Sequence, residues 1–334
     1  MFDQSHICEV CGGKDFWQYN YPVRVAPFRW HIWSGAVRRC FVNPIKFFFR
    51  SVINIIPKAF SKEFIQRARS PYKPLLSFAE INGSIRGIKR GMNLFSGKKI
   101  LICKNCDLGN VFPLIPEAKL VEHYKKDYWI SHVGEIESAE NRRTITTYKL
   151  LSNYLDFKEL DEVLEFGSAS AQLSRYFKSN QNELIFDSVD PGIAWKDALK
   201  DDIRNIFMDI GMVNHKYSLI MSSHALEHVS SLEKYFEKFV SLLKPGGYLY
   251  FEVPNSEERD LIFGSKSSRH FPHTYFFTQK SFDRIAKKYN LEVVFSKTFS
   301  RSYYQRFNNI NKEIISSEEN PKGAYLRVLF RNLE

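Results

Sequence analysis

The second half of the chain contains seven short apolar runs separated by segments of helical composition. Runs of four to six apolar residues between polar turns are typical of strands buried on both faces of a parallel sheet. They are VLEF (163–166), LIFDSV (184–189), NIFM (205–208), YSLIMS (217–222), YLYFEV (248–253), LEVVF (291–295) and YLRVLF (325–330). Helices are expected near residues 170–180, 193–200, 231–243 and 279–289, and Lys244-Pro245-Gly246-Gly247 should close the third. This alternation predicts an α/β fold with a doubly wound, mostly parallel sheet of seven strands.

Four of the five cysteines form two C-x-x-C pairs, Cys8 with Cys11 and Cys103 with Cys106. Two such pairs can place four thiolates around one zinc ion, although free or redox-active thiols are the alternative. The 91 positions between the pairs exceed the roughly 15–20 of a compact zinc ribbon, which indicates an insertion into the knuckle. A site with four thiolates has no open coordination position, so we expect structural zinc. Cys40 is left over for packing.

The positive charge of the chain is concentrated in the segment between the two cysteine pairs. Residues 22–99 contain 16 lysines and arginines against two acidic residues, an excess of +14, whereas the whole chain carries +11. Phenylalanine, tryptophan and isoleucine alternate with these bases over residues 28–33 and 45–60. We expect a mostly helical insertion that contacts an anionic membrane surface or a phosphorylated carrier, with nucleic acid less favoured. A merely solvated charged face is the alternative.

Two of the predicted strands end in residues suited to a ligand site, because doubly wound sheets bind ligands at the carboxyl ends of their strands. Small residues follow Glu165 at Gly167, Ser168 and Ala169, and Asp190 ends the next strand. An acidic residue in that position can accept hydrogen bonds from ribose hydroxyls. The same pattern also fits an incomplete nicotinamide-cofactor fingerprint or a simple strand-to-helix turn.

The order of the following elements identifies a family resemblance. The segment YSLIMSSHALEHVSSLEKYFEKFVSLLKPGGYLYFEVPN (217–255) resembles class I S-adenosylmethionine-dependent methyltransferases, and the likeness extends over about residues 140–330. In these enzymes a strand, a Leu-Glu-His turn, a helix, Lys-Pro-Gly-Gly and another strand follow one another. The paired knuckles, with HYKKDYW (123–129) after them, resemble the zinc-binding front domain of sugar methyltransferases, including sugar C-methyltransferases.

The resemblance implies a Rossmann-like domain that binds S-adenosylmethionine. Glu165 and the following loop would hold the amino acid end of the cofactor, Asp190 the ribose hydroxyls and Asp209 the adenine amine. The complete set of predicted cofactor residues is Glu165, Gly167, Ser168, Ala169, Asp190, Asp209 and Ser222. The family's G-x-G-x-G loop keeps only its first glycine here, with Ala169 and Ala171 in the later positions. Because alanine does not freely adopt positive φ, the loop should be shifted, or the domain catalytically silent.

The acceptor side of the site should be rich in histidine. His224 and His228 flank the end of the fourth strand, and His228 is the first candidate for a general base, with a structural hydrogen bond as the alternative. The same residues spell H-x-x-E-H, a zinc-peptidase pattern that requires a helix which the strand end here does not provide. The loop over residues 267–278 supplies the candidate substrate residues His270, His273 and Tyr275, or else a packed aromatic loop.

We therefore expect a zinc-binding domain (1–21 and 100–135), a basic insertion (22–99) and a methyltransferase domain (136–334). The expected substrate is a sugar or a nucleotide- or lipid-linked glycan intermediate of surface polysaccharide or secondary metabolism. The alternatives are a nucleic-acid methyltransferase that uses the basic insertion and a catalytically silent methyltransferase-like binding module. The start of the chain has no leader pattern and no apolar run long enough to span a bilayer. These features predict a cytoplasmic protein that contacts the inner face of the membrane through the insertion.

Overall fold

The computed structural model describes residues 6–21, 93–125, 142–192, 199–257, 273–299, 323 and 325–334. Several sequence predictions concern residues outside these ranges. They are His270, Cys40, the basic segment over 22–92 and most of the helix predicted at 193–200. In the part of the chain that the structure describes, no helix is both long and apolar enough to cross a membrane.

The described strands form two sheets, with helices between them along the chain. The strands are β1 (Phe16–Asn20), β2 (Lys99–Cys103), β3 (Gly109–Phe112), β4 (Glu162–Phe166), β5 (Ile185–Val189), β6 (Asn205–Phe207), β7 (Tyr217–Ser223), β8 (Leu243–Pro254), β9 (Tyr275–Phe276), β10 (Leu291–Phe299) and β11 (Tyr325–Asn332). The α-helices are α1 (Glu117–His123), α2 (Arg142–Leu151), α3 (Gln172–Asn180), α4 (Leu232–Ser241) and α5 (Gln279–Lys288).

Each of the seven apolar runs lies in the larger sheet, in the spatial order β10-β11-β8-β7-β4-β5-β6. The pairs from β8 through β7, β4 and β5 to β6 are parallel, whereas β11 is antiparallel to both β8 and β10. The α/β class with a mostly parallel sheet is therefore confirmed. This order places the carboxyl ends of β4, β5 and β7 side by side.

Both faces of the larger sheet are covered, which explains why its central strands are nearly uniform in hydrophobicity. Along β8, Phe251 and Val253 pack into a buried cluster with residues of α4 and α5. Tyr250, the residue directly before Phe251, packs into a second buried cluster that contains Phe177 of α3 and Leu151 of α2. Successive side chains of a strand point to opposite faces, so the two clusters cover opposite faces of the sheet.

The helix predicted over residues 231–243 extends too far at its C-terminal end. Helix α4 ends at Ser241, and β8 begins at Leu243, so the Lys-Pro-Gly-Gly segment belongs to the strand. The register of β8 against β7 shifts where Tyr217 pairs with Leu243 and Leu219 pairs with Tyr248. Gly246 has a φ of 69°, which a β-bulge accommodates most easily with glycine.

The smaller sheet was not predicted. Its antiparallel order is β1-β2-β3-β9, so three strands from the first third of the chain pair with one that follows β8 in sequence. Gly109 of β3 lies opposite Phe276 of β9, and a Cβ at Gly109 would lie 2.9 Å from the Phe276 Cβ. Phe276 completes a buried cluster with Phe95, Ile100 and Val111. The predicted zinc-binding and methyltransferase segments thus share one sheet.

Candidate functional site

A cavity of about 530 Å³ lies at the carboxyl ends of β4, β5 and β7. One part of its lining comes from the turns after these three strands, and another comes from helix α1 and the residue after it. Among the lining residues are Glu117, Tyr124, Glu165, Gly167, Ser168, Ala169, Asp190, Asp209, Ser223, His224, Glu227, His228 and His273. The position agrees with the ligand site of doubly wound sheets.

The loop after β4 keeps a glycine-like backbone at three alternate positions. Gly167, Ala169 and Ala171 have φ values of 69°, 48° and 49°. Both alanines thus adopt left-handed backbone geometry, at a cost of roughly 1–2 kcal/mol each. Glycine is required at Gly167 for a further reason, since a Cβ there would lie 2.1 Å from the Cβ of Ala225.

Asp190 fixes this loop from the end of β5. One carboxylate oxygen accepts a hydrogen bond from the Ala169 amide at 2.8 Å, and the other accepts one from the Gly192 amide at 2.6 Å. Burial raises the pKa of Asp190 to about 6, against the opposing effect of the two amides. Each carboxylate oxygen can accept a further hydrogen bond, so the geometry is compatible with a hydroxyl-bearing ligand.

Glu165 lies at the base of the cavity, where it is buried. Its Oε2 accepts hydrogen bonds from the amide of Ser174 at 3.0 Å and from the hydroxyl of Ser174 at 2.5 Å. Burial raises the pKa of Glu165 to about 7, and the Asp190 carboxylate adds to the increase. Two buried carboxyl groups with raised pKa values favour a ligand that brings a positive charge or hydroxyl donors.

The remaining predicted cofactor residues differ in their placement. The hydroxyl of Ser168 contacts that of Ser188, and Ser168 lines the cavity. Asp209 also lines the cavity, and its Oδ1 accepts a hydrogen bond from the Gly211 amide at 2.7 Å, which caps the 3-10 turn Ile210–Met212. Ser222 is buried and does not line the cavity, whereas the next residue, Ser223, does.

The turn after β7 carries both candidate catalytic histidines. His224 has a φ of 54°, and its Nδ1 lies 3.3 Å from Glu227 Oε1 while its Nε2 lies 3.1 Å from Glu252 Oε1. Burial opposes protonation of His224, but the Glu227 and Glu252 carboxylates hold its pKa above the usual range. His228 Nδ1 lies 2.8 Å from the hydroxyl of Tyr124, which follows α1. Both histidines line the cavity.

The structure separates the candidate substrate residues. His273 lines the cavity, and its ring centroid lies 5.0 Å from that of His228. Tyr275 is not among the lining residues, since its hydroxyl donates to Glu9 at 2.7 Å and accepts from the Leu232 amide at 3.0 Å. His270 lies outside the described residues.

Sequence reasoning selected no glutamate on the acceptor side. Glu227 lines the cavity between the two histidines of the H-x-x-E-H segment, and Glu252 of β8 lies directly behind His224. Glu252 is buried, and it pairs with the Arg327 guanidinium at 2.6 Å. The H-x-x-E-H pattern was a usable signal for Glu227, but Glu252 lies in an apolar strand that gives no such indication.

The four paired cysteines converge. The Sγ atoms of Cys8 and Cys106 are 3.5 Å apart, those of Cys11 and Cys103 are 3.4 Å apart, and all four atoms lie within 4.8 Å of one another. Sulfur atoms around tetrahedral zinc are separated by about 3.8 Å, because each Zn–S bond is about 2.3 Å long. The donor set and its spacing therefore fit a zinc ion.

The cysteine knuckle also contacts the larger sheet's helices through Glu9, which lies between Cys8 and Cys11. The Glu9 carboxylate accepts hydrogen bonds from the Tyr275 hydroxyl at 2.7 Å and from the Glu233 amide at 3.0 Å, at the start of α4. A carboxylate at a helix N-terminus is stabilised by the helix dipole. Lys288 of α5 donates to the Glu9 carbonyl at 2.6 Å.

The fold and the cavity define a doubly wound α/β domain with a candidate ligand site at the carboxyl ends of its strands. Residues 138–295 match the family model Methyltransf_23, described as a methyltransferase domain. The chain therefore contains a class I S-adenosylmethionine-dependent methyltransferase domain.

Solved structures similar to this chain include a S-adenosylmethionine-dependent methyltransferase from Clostridium acetobutylicum ATCC 824, at 13% identity, over 57% of this chain and 90% of that chain, with a TM-score of 0.41. A possible histamine N-methyltransferase from Thermotoga maritima shares 16% identity, over 57% and 91% of the two chains, with a TM-score of 0.42. The N-methyltransferase NodS from Bradyrhizobium japonicum WM9, in complex with S-adenosyl-L-homocysteine, shares 16% identity, over 64% and 97%, with a TM-score of 0.39. No curated protein matches the chain.

Proposed function

We propose that this methyltransferase methylates a hydroxyl group of a sugar, or of a nucleotide- or lipid-linked glycan intermediate. One observation carries the proposal. The same cavity has two buried carboxyl groups, Glu165 and Asp190, on its cofactor side and a histidine- and glutamate-rich wall around His228 on the other. A hydroxyl acceptor needs proton-accepting chemistry of this kind.

S-adenosylmethionine supplies an electrophilic methyl group on a sulfonium. In this proposal Glu165 and the Gly167 loop hold its amino acid end, Asp190 holds the ribose hydroxyls and Asp209 holds the adenine amine. The loop geometry supports this assignment, because Asp190 already orients the backbone of Ala169. The residues of the chain then act mainly by holding the acceptor oxygen close to the methyl group and in line with it.

On the acceptor side, His228 is the candidate base. The 2.8 Å contact between its Nδ1 and the Tyr124 hydroxyl orients the ring and, with Nδ1 protonated, leaves Nε2 free of a proton. His224 is more deeply involved in ion pairs with Glu227 and Glu252, which suits a positioning residue. The sugar class is supported by the resemblance of the knuckle segment to the front domain of sugar methyltransferases.

The cofactor assignment is tested by calorimetric titration of S-adenosyl-L-homocysteine and S-adenosylmethionine into the wild type and Asp190→Ala. We expect micromolar binding to the wild type and at least a hundredfold loss in the variant, since about 3 kcal/mol of charge-assisted hydrogen bonding disappears. Asp283→Ala is the matched control, because Asp283 is an exposed aspartate on α5. Absence of binding to the wild type would refute the enzyme proposal and favour a binding module. Labelled S-adenosylmethionine with a panel of nucleotide sugars and glycan lipids then tests the acceptor class.

We also propose that Cys8, Cys11, Cys103 and Cys106 bind a structural zinc ion. The support is the convergence of four thiols with no other ligand type among them. Zinc content measured by mass spectrometry should fall by one ion per chain in Cys106→Ser. Cys40→Ser is the matched control, since it removes the remaining cysteine of the sequence. Equal zinc content in the two variants would contradict the assignment.

The basic segment of residues 22–99 is proposed to bind the anionic inner surface of a membrane. The support is its charge excess together with its aromatic residues. Cosedimentation should occur with vesicles that contain anionic lipid, and it should weaken as salt is added. Equal cosedimentation with neutral vesicles would contradict this proposal.

A further inference from the structure

Three side chains of types that can bind a metal ion, Glu227, His228 and His273, lie close together in the cavity and form a group separate from the four cysteines. Nε2 of His228 and Nε2 of His273 each lie 3.9 Å from Oε1 of Glu227. One ligand atom from each of the three residues lies within 4.8 Å of the other two. All three residues line the cavity, so an ion held here would face the space available to the acceptor. We infer that Glu227, His228 and His273 bind a divalent metal ion.

The first support is the state of the Glu227 carboxylate. Its side chain is 1% exposed. Oε1 contacts His224 Nδ1 at 3.3 Å, whereas Oε2 is buried without a hydrogen-bond partner among the described residues. A buried carboxylate oxygen that lacks a donor is costly, and native proteins rarely retain one without a ligand or water. The distances to His228 and His273 run to Oε1, so a cation that binds both carboxylate oxygens of Glu227 would satisfy Oε2.

The second support is the way the two histidines are held. The Tyr124 hydroxyl, 2.8 Å from Nδ1 of His228, orients that ring, as outer hydrogen-bond partners orient metal-bound histidines. The His273 carbonyl accepts a hydrogen bond from the Tyr21 hydroxyl at 2.9 Å. The amide and the hydroxyl of Thr274 both donate to the Glu227 carbonyl, at 2.7 and 2.9 Å. The backbone segments that carry His273 and Glu227 are thereby fixed side by side.

The donor set indicates which ions fit. Two imidazole nitrogens and one carboxylate oxygen suit Zn²⁺, Mn²⁺, Fe²⁺, Co²⁺ or Ni²⁺ better than an ion that prefers oxygen alone. Ligands around tetrahedral zinc lie about 3.3 Å apart, so the observed 3.9 Å separations would contract by about half an ångström on binding. Three protein ligands leave at least one coordination position open, in contrast to the four-cysteine site.

The inference deepens the proposed function, and its catalytic role rests on that proposal. A hydroxyl of the acceptor bound to the ion would release its proton to water at a lower pH than in solution. Its oxygen would then form the new C–O bond while the C–S bond of the sulfonium breaks and sulfur keeps the electron pair. In that role His228 is a metal ligand and not the base, and the open positions suit an acceptor with two neighbouring hydroxyls.

The test is a titration with Mn²⁺ of the full-length protein that carries one equivalent of zinc, enough to fill only the cysteine cluster, followed by loss of the free-ion electron paramagnetic resonance signal. Mn²⁺ is chosen because thiolates bind it poorly, so the cysteine cluster does not contribute to the measured Mn²⁺ binding. We expect one Mn²⁺ per wild-type chain, and at least a hundredfold weaker binding in Glu227→Gln and in His273→Gln. His215→Gln is the matched control, since His215 is an exposed histidine that contacts Glu162 away from the cavity.

Melting temperature and zinc content verify that each variant is folded. The inference would be overturned if the wild type, at about 1 mM metal ion, bound no Mn²⁺ and bound no Co²⁺ or Zn²⁺ beyond the cysteine cluster. It would also be overturned if the folded variants bound Mn²⁺ as tightly as the wild type does. Titration with S-adenosyl-L-homocysteine is recorded on the same samples. Protein that binds S-adenosyl-L-homocysteine but no Mn²⁺ would refute only the metal site. Protein that binds Mn²⁺ but no S-adenosyl-L-homocysteine would refute only the methyltransferase proposal.

Discussion

Gly167 should be the least replaceable residue of the cofactor loop. A Cβ at this position would lie 2.1 Å from the Cβ of Ala225, whereas carbon atoms in contact are about 3.5–4.0 Å apart. One of the two backbones must therefore move by about 1.5 Å. Ala225 follows His224, whose amide donates to the Glu252 carbonyl at 2.8 Å within the sheet, so the β7 side of the contact is anchored. The loop around Gly167, after β4, must therefore be the segment that moves.

The cost of Gly167→Ala has two parts, a left-handed backbone penalty of about 1–2 kcal/mol and an overpacking penalty of about 1–3 kcal/mol. Gly97→Ala separates them, because Gly97 has a φ of 71° and no atom within 4 Å of the added Cβ. We expect denaturant unfolding to show about 2–5 kcal/mol of destabilisation for Gly167→Ala and only the smaller backbone penalty for Gly97→Ala. S-adenosyl-L-homocysteine affinity should fall only in Gly167→Ala. Equal destabilisation of the two variants, with unchanged affinity, would refute the steric argument.

Three further predictions concern the loop, its carboxyl groups and the knuckle. Ala169→Gly should stabilise the protein by about 1 kcal/mol in denaturant unfolding, since glycine adopts the φ of 48° without strain; a destabilised variant would show that the methyl group is needed. Burial raises the pKa of Glu165 to about 7 and that of Asp190 to about 6. The ligand-free folded state therefore takes up protons more readily than the unfolded chain, so stability should rise and cofactor-product affinity should fall as the pH decreases from about 8 to 5. Calorimetry and melting at several pH values measure both trends, and Glu165→Gln should flatten them. Tyr275→Phe should cost about 1–3 kcal/mol of unfolding free energy in zinc-loaded protein, because Glu9 and the Leu232 amide both lose a buried partner; an unchanged unfolding curve would contradict the proposed link between knuckle and helix.

The central strands β4, β5 and β7 of the larger sheet were predictable because they are buried on both faces and read as short, largely apolar runs. The same property made Asp190 predictable, since a single acidic residue directly after such a run stands out at the carboxyl end of a strand. The conformation of Ala169 was not predictable in this way. Its positive φ accompanies the 2.8 Å hydrogen bond from its own amide to Asp190, 21 positions later in the chain, a contact that no local sequence pattern indicates.

The smaller sheet escaped prediction because its pairing joins distant parts of the chain. Strand β9 has only two residues, Tyr275 and Phe276, and no local pattern distinguishes it from a packed aromatic loop. Its partner β3 lies more than 160 positions earlier, and the close contact at Gly109 is visible only after folding. The Tyr275 hydroxyl contacts Glu9 and Tyr275 does not line the cavity, although His273, two residues earlier, does.

The part of the cavity around His228 and His273 is built by residues from both halves of the chain. Tyr124 and Tyr21 precede the methyltransferase family match at residue 138, yet their hydroxyls contact His228 and the carbonyl of His273. The knuckle reaches the same region through Glu9, which joins the start of α4 to β9. The segment before residue 138 also contributes Glu117 and Tyr124 to the lining of the cavity. Because the proposed acceptor site lies in this cavity, we expect acceptor specificity to depend in part on these two residues, which the family match does not include.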